Sequence, residues 1–200
     1  MKRLILINGP MGAGKTTVTP LLAQKLSPAV WLDGDWCWKM EPFTVTEENK
    51  AVVLENIHTL LGNFLRRGSW ETVLFCWVMD HPEILRQVLQ PLRDEDIPLW
   101  IFTLTCTPEA LKARLEKDVK AGIRTPDIIP RSLERLPLYR DMDTVQVDVT
   151  RRTPEQAAQV MADLVLGDRE RRCWPSAVCL RQFCPMTPSA TRWRHWPAGR

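Results

Sequence analysis

The sequence of 200 residues lacks any long hydrophobic run. Its longest apolar stretches lie at residues 73–79 and 99–106, and both are far shorter than the ~18 residues that a membrane-spanning helix needs. The apolar run near the first residue ends at Asn8, too early for the core of a secretory signal. We therefore expect a cytoplasmic protein that has no membrane partner.

Two motifs that mark other protein classes are also missing. None of the six cysteines forms a C-x-x-C pair, which argues against a zinc site. The sequence has no N-K-x-D segment, the signature that reads guanine, and this disfavours a GTPase. Cys37, Cys76 and Cys106 lie in apolar surroundings, so we expect them to be buried free thiols.

Acidic residues are absent from residue 171 onward. Residues 168–200 contain seven arginines, no lysine and only Asp168 and Glu170, whereas residues 1–167 are slightly acidic. This Arg-, Trp-, Cys- and Pro-rich tail has no apolar periodicity, and we interpret it as a disordered or adventitious extension. The alternative is a basic arm that binds nucleic acid or a phosphorylated surface. For residues 1–167 we expect no nucleic-acid binding.

Strand-like and helix-like segments alternate through residues 1–167. The composition, with 44% apolar and 26% charged residues, is typical of a globular protein. The strand-like segments are residues 3–8, 29–32, 72–79, 99–105 and 144–149. Such alternation favours a parallel sheet that is covered by helices on both faces. The prediction is a three-layer α/β/α domain with a five-stranded parallel sheet.

A glycine-rich turn joins the first strand to the first helix. It fits the pattern G-x-x-x-x-G-K-[ST] with Gly9, Pro10, Met11, Gly12, Ala13, Gly14, Lys15 and Thr16. Glycines let backbone N–H groups curl around a phosphate, and the helix N-terminus adds its positive dipole end. In this pattern the lysine reaches the β- and γ-phosphates and the threonine hydroxyl binds Mg²⁺. The motif predicts nucleoside triphosphate binding, and we include the next residue, Thr17, in the nucleotide site.

Two carboxylates, Asp33 and Asp35, follow the second strand. Sites in parallel α/β sheets form at the carboxyl ends of the strands, so this pair should lie beside the glycine-rich turn. One carboxylate could organise Mg²⁺ and the other could accept a proton from an attacking hydroxyl. The alternative is a polar turn that caps a helix. Asp80, after the third strand, could likewise be a weak Mg²⁺ partner or, as we prefer, the cap of the following helix.

Residues 120–130 hold Gly122, Pro126 and Pro130 and show no core pattern. Arg124 lies within this segment, and Arg114, Arg131 and Arg135 lie on either side of it. This arrangement suits a mobile lid that brings guanidinium groups to a transferring phosphoryl group and excludes water. Any single arginine could instead belong to a solvated charged face.

Taken together, these segments resemble the shikimate-kinase-like P-loop small-molecule kinases. The resemblance covers most of residues 1–167 and rests on residues 9–16, Asp33 and Asp35, the R-L-P-L-Y segment 135–139, Asp143 with the following strand, and residues 151–154. It implies the strand order 2-3-1-4-5, with ATP as the phosphoryl donor and Mg²⁺ as the metal.

The resemblance also implies roles for individual residues. Asp35 would be the base for the acceptor hydroxyl, and Asp33 would lie near Mg²⁺. Arg124 would be the lid arginine, and Arg114 would approach the nucleotide phosphates. Arg135 would meet the acceptor. Arg151 or Arg152 would lie against adenine.

The chain departs from that family at the acceptor site. Trp77-Val78-Met79-Asp80 stands where the family has a Gly-Gly-Gly turn, and the acceptor-binding arginine of the second helix is missing. The region is instead rich in aromatic residues, among which we assign Trp36 and Trp77 to the acceptor site. We therefore expect a small ring-bearing alcohol, such as a nucleoside or an antibiotic, rather than shikimate. The tryptophans could instead simply fill the core.

These observations predict an ATP:alcohol phosphotransferase that is a monomer or a homodimer. The competing hypothesis is a regulatory protein that binds nucleotide and hydrolyses it slowly or not at all.

Overall fold

Strands and helices alternate along the chain in the computed structural model, which describes residues 2–93, 95, 97–167 and 178–179. The strands are β1 (Arg3–Asn8), β2 (Ala29–Asp33), β3 (Thr72–Cys76), β4 (Pro98–Thr105), β5 (Val145–Asp148) and β6 (Val178–Cys179). The helices are α1 (Lys15–Lys25), α2 (Glu47–Arg66), α3 (Pro82–Leu89), α4 (Pro108–Lys120), α5 (Ile128–Arg140) and α6 (Pro154–Gly167). Two short 3₁₀ helices cover Gly34–Trp38 and Gln90–Leu92.

The central sheet is parallel and has the order β2-β3-β1-β4-β5. This confirms the expected α/β class and strand order. Strand β1 lies in the middle, and its residues are all buried, which explains why it is a continuous apolar run. Because β1 pairs with β3 on one side and β4 on the other, the turn after β1 emerges where the strand order reverses. Ligands bind at this position in open α/β sheets.

Strand β6 pairs antiparallel with the first two residues of β4, with Cys179 opposite Pro98. Its residues belong to the segment that we expected to be a disordered tail. The rest of that segment lies outside the described residues, so the division at residue 167 stays a prediction.

Helices cover both faces of the sheet, as the three-layer prediction required. Helices α2 and α3 pack on one face, where Ile57 and Val88 are fully buried. Helices α1, α4 and α6 pack on the other, where Leu22, Leu111 and Met161 are fully buried. Within the described part of the chain, every helix is too short or too polar to cross a membrane.

Strand β3 ends at Cys76, earlier than the predicted residue 79. Its last ladder bond is donated by the N–H of Trp77 to the carbonyl of Ile7. Beyond it, the side chain of Asn8 replaces the backbone partner: Asn8 Nδ2 donates to the carbonyl of Met79, and the N–H of Met79 donates to Asn8 Oδ1, both at 2.9 Å. The chain therefore leaves the sheet but stays fixed to the end of β1.

Two further boundaries differ from the sequence-based expectation. The residue that caps α3 is His81, so Asp80 does not have the capping role that we preferred. Helix α5 begins at Ile128, so the connection between α4 and α5 covers residues 121–127 rather than 120–130. Pro130 lies in the first turn of α5, where a helix needs no N–H donor, and this explains why it does not delay the helix.

Candidate active site

A cleft of about 720 Å³ opens at the carboxyl edge of the sheet. It brings together the glycine-rich turn, the start of α1, the Asp33–Asp35 segment and the α4–α5 connection. The predicted residues that line it include Met11, Gly12, Gly14, Lys15, Thr16, Thr17, Asp33, Asp35, Trp77, Arg114 and Arg124. Most of the candidate nucleotide and catalytic residues therefore share one cavity.

The glycine-rich turn is pressed tightly against its neighbours. At Gly9, with φ at 143°, a Cβ would lie 2.8 Å from the carbonyl oxygen of Leu104 in β4. At Gly12, with φ at 79°, it would lie 2.8 Å from Leu115 Cδ2 in α4. Both positions need a conformation that favours glycine and a space that only glycine leaves. The turn is thus fixed between β4 and α4 as a backbone cradle.

Lys15 folds back over this turn. Its Nζ donates to the carbonyls of Gly9 at 2.7 Å and Pro10 at 3.0 Å. Burial lowers the pKa of Lys15 to about 8, and the nearby carboxylate of Asp35 opposes the shift. A desolvated cation that donates to two carbonyl oxygens gains strongly from an anionic partner, so the turn fits a polyphosphate.

Asp33 connects the turn to the second strand. Thr16 Oγ1 donates to Asp33 Oδ2 at 2.9 Å, and the N–H of Asp35 donates to Asp33 Oδ1 at 3.0 Å. Asp33 therefore caps the 3₁₀ helix, as the alternative interpretation held, and also faces the threonine hydroxyl. These two hard oxygen donors suit Mg²⁺, which takes few protein ligands when phosphates and water supply the rest. Among the described residues, no group of three or more His, Cys, Asp or Glu side chains could hold a metal ion.

The geometry of the 3₁₀ helix Gly34–Trp38 determines which of its own side chains face the cleft. Side chains three residues apart eclipse one another in a 3₁₀ helix. Asp35 and Trp38 both line the cavity, whereas Trp36 is half exposed and lies outside the described lining. Of the two tryptophans, Trp38 thus lines the cavity and Trp36 does not, and the assignment of Trp36 to the acceptor site stays a prediction.

Three aromatic side chains form one wall of the cleft. Trp38 and Phe43 lie with ring centroids 5.9 Å apart and planes tilted by 54°, and Trp77 lies near them. Trp38 and Trp77 are also buried in the hydrophobic core that includes the buried residues of α2. Trp38 and Trp77 thus fill the core and also line the cleft, and a contact with an acceptor stays a prediction.

Two arginines that we expect near the phosphates, Arg114 and Arg124, both line the cleft. Arg124 Nε donates to Asp118 Oδ2 at 3.1 Å, and Arg124 Nη1 lies 3.8 Å from the sulfur of Met11. Arg114 donates to the carbonyl of Val149. Arg124 thus connects α4 to the glycine-rich turn, while Arg114 is anchored beside the end of β5.

Arg135 lies outside the main cleft. Its Nη1 forms an ion pair with Asp80 Oδ2 at 3.3 Å, at a small cavity of about 20 Å³ that is also lined by Tyr139. The buried Asp80 carboxylate holds the guanidinium there, and the contact of Arg135 with the acceptor stays a prediction.

The two arginines expected near adenine are both exposed and both border an open groove with Thr107 and Gln156. Arg152 also borders a cavity of about 220 Å³ beside Gly14 and Pro154, next to the glycine-rich turn. Arg151 does not line that cavity. Position thus favours Arg152 over Arg151 as the neighbour of a base.

Some residues of the site were not identified from the sequence. Asn8, which anchors the segment after β3, could have been suspected as the one polar residue at the end of a fully buried strand. Asp118 and Ile123 line the cleft from the lid side, but nothing in the local pattern distinguishes them from surface residues. Cys76 lies close to Lys15 and Asp33, and burial raises its thiol pKa to about 12, so it is a packing residue and not a nucleophile.

Comparison with known proteins agrees with this geometry. Residues 5–129 match the family described as AAA domain. Shikimate kinase 1 of Yersinia enterocolitica is 26% identical over an alignment that covers 83% of this chain and 95% of the relative. The resemblance to shikimate-kinase-like P-loop kinases that the sequence indicates is thus confirmed.

Solved structures show the same fold at lower identity. A tunicamycin resistance protein from Deinococcus radiodurans has a TM-score of 0.63 at 17% identity and covers 84% of this chain and 96% of its own. A gluconokinase from Sinorhizobium meliloti has a TM-score of 0.61 at 18% identity, with coverages of 86% and 98%. A shikimate kinase from Acinetobacter baumannii, solved with shikimate, has a TM-score of 0.58 at 20% identity, with coverages of 84% and 96%.

Proposed function

The chain belongs to the AAA domain family, and from this premise we propose that it is a Mg²⁺-dependent kinase that transfers the γ-phosphoryl group of ATP to a hydroxyl of a small molecule. Its similarity to shikimate kinases and to a gluconokinase supports phosphoryl transfer. The observation that carries the proposal is that Asp35 opens onto the same cleft as Lys15 and Thr16. A base for an alcohol therefore faces a cradle for a polyphosphate.

Asp35 would orient the acceptor hydroxyl and take its proton. The acceptor oxygen forms a bond to the γ-phosphorus while the bond from that phosphorus to the leaving oxygen of ADP breaks, and the proton remains on Asp35 until solvent removes it. Asp35 is exposed to the cleft and lies next to Asp33, whose carboxylate holds the N–H of Asp35. The turn is thus kept in one orientation before a substrate enters.

Lys15 and Arg124 would place positive charge around the transferring group. Lys15 would exchange its two carbonyl partners for phosphate oxygens, and Arg124 would turn from Asp118 toward the phosphates as residues 121–127 close over the cleft. Mg²⁺, held by Thr16 and Asp33, would neutralise phosphate charge. Removal of water from the cleft strengthens each of these interactions.

The acceptor end of the cleft suits a ring-bearing alcohol, for example a nucleoside or an antibiotic. Trp38, Phe43 and Trp77 present flat apolar surface beside Asp35. Aromatic side chains bind rings by stacking and by burial of apolar area, whereas a small polyhydroxy acid offers little of either.

The test is ADP release by the full chain with ATP and Mg²⁺, with and without a panel of ring-bearing alcohols. We expect turnover that rises with specific acceptors, is abolished by Lys15→Ala and falls by about 10²–10⁴ in Asp35→Asn, the usual range for loss of a general base. Nucleotide affinity should survive in Asp35→Asn. Glu83→Gln, which removes a surface ion pair on α3, is the control for a carboxylate-to-amide change.

Turnover that is the same with every acceptor would overturn the proposal. It would favour the regulatory nucleotide-binding protein instead.

A further inference from the structure

We propose that the acceptor of this kinase carries no negative charge, because the chain supplies its own carboxylate, Asp80, to Arg135, an arginine of the cavity that adjoins the cleft. This inference rests on the proposed kinase function and deepens it. It concerns Arg135, Asp80 and the cavity behind the wall of the cleft, none of which the transfer step uses.

The ion pair lies directly behind the cleft. Arg135 Nη1 and Asp80 Oδ2 are 3.3 Å apart, and the Asp80 side chain is only 2% exposed. The small cavity that Arg135 lines shares Met11, Val78 and Ile128 with the main cleft. The cavity of Arg135 therefore adjoins the cleft where an acceptor would bind.

A carboxylate that entered from the cleft would meet an arginine whose charge is already compensated. It would also approach the buried carboxylate of Asp80, and two like charges at close range in a desolvated place repel strongly. The second arginine that lines this small cavity, Arg131, pairs with Asp127 at 2.9 Å. Both cations behind the wall therefore have carboxylate partners within the chain.

The cavity also lacks the volume for an acidic group, so an acid attracted by Arg135 would have to lie in the main cleft. It measures about 20 Å³, which is about the space of one water molecule and less than a carboxylate needs. The hydroxyl of Tyr139 is fully buried at its edge and has no hydrogen-bond partner among the described residues. Burial, with Asp80 nearby, raises the pKa of Tyr139 well above its usual value, so this group stays neutral and adds no charge.

The remaining cations of the described cleft would face the phosphates of a bound nucleotide. Lys15 belongs to the glycine-rich turn, and Arg114 and Arg124 lie on the lid side of it. The aromatic wall and Asp35 supply the acceptor end. An uncharged ring with a hydroxyl matches this lining, and a carboxylate does not.

The test uses acids and their methyl esters, which present the same hydroxyls and differ in charge. Shikimate and quinate, each with its methyl ester, are titrated into the full chain with a non-hydrolysable ATP analogue, and tryptophan fluorescence reports binding through Trp38 and Trp77. ADP release with ATP is measured for the same four compounds together with uridine. The wild type should prefer each ester over its acid by about tenfold or more.

Asp80→Asn keeps the shape of the side chain and removes its charge. It should raise the affinity for the acids relative to the esters by about tenfold, and the double variant Asp80→Asn/Arg135→Gln should lose that gain. Glu83→Gln, the matched surface change, should leave the ratio unchanged. Circular dichroism of each variant distinguishes altered preference from failure to fold.

The outcomes distinguish a failure of the charge inference from a failure of the kinase proposal. A wild type that prefers the acids, or an Asp80→Asn variant with an unchanged ratio, would overturn the inference while the kinase proposal stands. Failure of all five compounds to bind or to raise ADP release would count against the kinase proposal, and the charge inference would fall with it.

Discussion

The ring of Trp77 lies against the backbone of Gly34. A Cβ on Gly34 would come within 2.5 Å of the ring. Because φ of Gly34 is not in the left-handed region, the close approach of the ring, and not the backbone conformation, explains the glycine. This contact sets the position of Asp33 and Asp35 on either side.

Gly34→Ala should therefore lower acceptor-dependent ADP release by at least tenfold, because the added methyl group pushes the turn that carries Asp35 away from Trp77. Overpacking in a tight core costs ~1–3 kcal/mol, so the melting temperature should also fall. Gly167→Ala is the control, since a Cβ at Gly167 meets nothing within 4 Å. Trp77→Leu in the Gly34→Ala background should recover part of the activity, and a Gly34→Ala variant with full turnover would refute the role of the contact.

Substitution of Asn8 should cause a measurable loss of folding stability. Asn8→Ala removes both hydrogen bonds to the backbone of Met79 and leaves a buried N–H and a buried carbonyl without partners. Each unsatisfied group costs ~1–3 kcal/mol, so the free energy of unfolding should fall by about 2–6 kcal/mol in urea titrations. Asn63→Ala, at an exposed position of α2, should cause no such loss. Equal stability of the two variants would contradict the anchoring role of Asn8.

The sequence predicts the parts of this fold that depend on local patterns. Thr46 caps α2 by accepting from the N–H of Asn49, and a threonine followed by Glu47 and Glu48 is a local signal for the start of a helix. The glycine-rich turn is equally local, because its spacing, its strand and its helix are contiguous in the chain.

The rest depends on contacts between distant segments. Nothing around Asp80 shows that α5 will bring Arg135 to it, and a helix cap is then the natural interpretation of an acid after a strand. Whether Trp36 or Trp38 lines the cleft depends on the backbone conformation of this segment. A 3₁₀ helix has three residues per turn, whereas side chains alternate every two residues in a strand, and no sequence pattern predicts the 3₁₀ helix here.

Substitution of Arg124 should lower the rate of catalysis with little change in folding stability. Arg124→Ala should lower kcat of the acceptor reaction by about 10²–10³, the usual effect of losing one group that stabilises transition-state charge. Its ion pair with Asp118 is partly exposed, and such pairs contribute little to folding, so the melting temperature should stay within about 2 °C. Arg86→Ala removes a comparable surface pair on α3 and should leave kcat unchanged. A large loss of stability in Arg124→Ala would instead indicate a structural role.

The lowered pKa of Lys15 predicts how nucleotide affinity depends on pH. Its pKa in the ligand-free protein is about 8, below the ordinary 10.5, so between these values the unfolded chain binds more protons and the stability of the ligand-free protein rises with pH. Bound phosphates favour the charged lysine and raise its pKa again. Nucleotide affinity should therefore be constant below pH 8 and fall by up to about tenfold per pH unit above it.

Calorimetry at pH 8.5 in buffers of different ionisation enthalpy checks this expectation, since binding should take up part of a proton. Cys76 does not interfere, because its pKa is about 12. Lys15→Arg keeps the charge without titrating in this range, so its binding should show no proton uptake and no fall in affinity between pH 8 and pH 9.5. Proton uptake that persists in Lys15→Arg would assign the titration to another group and remove Lys15 as its source.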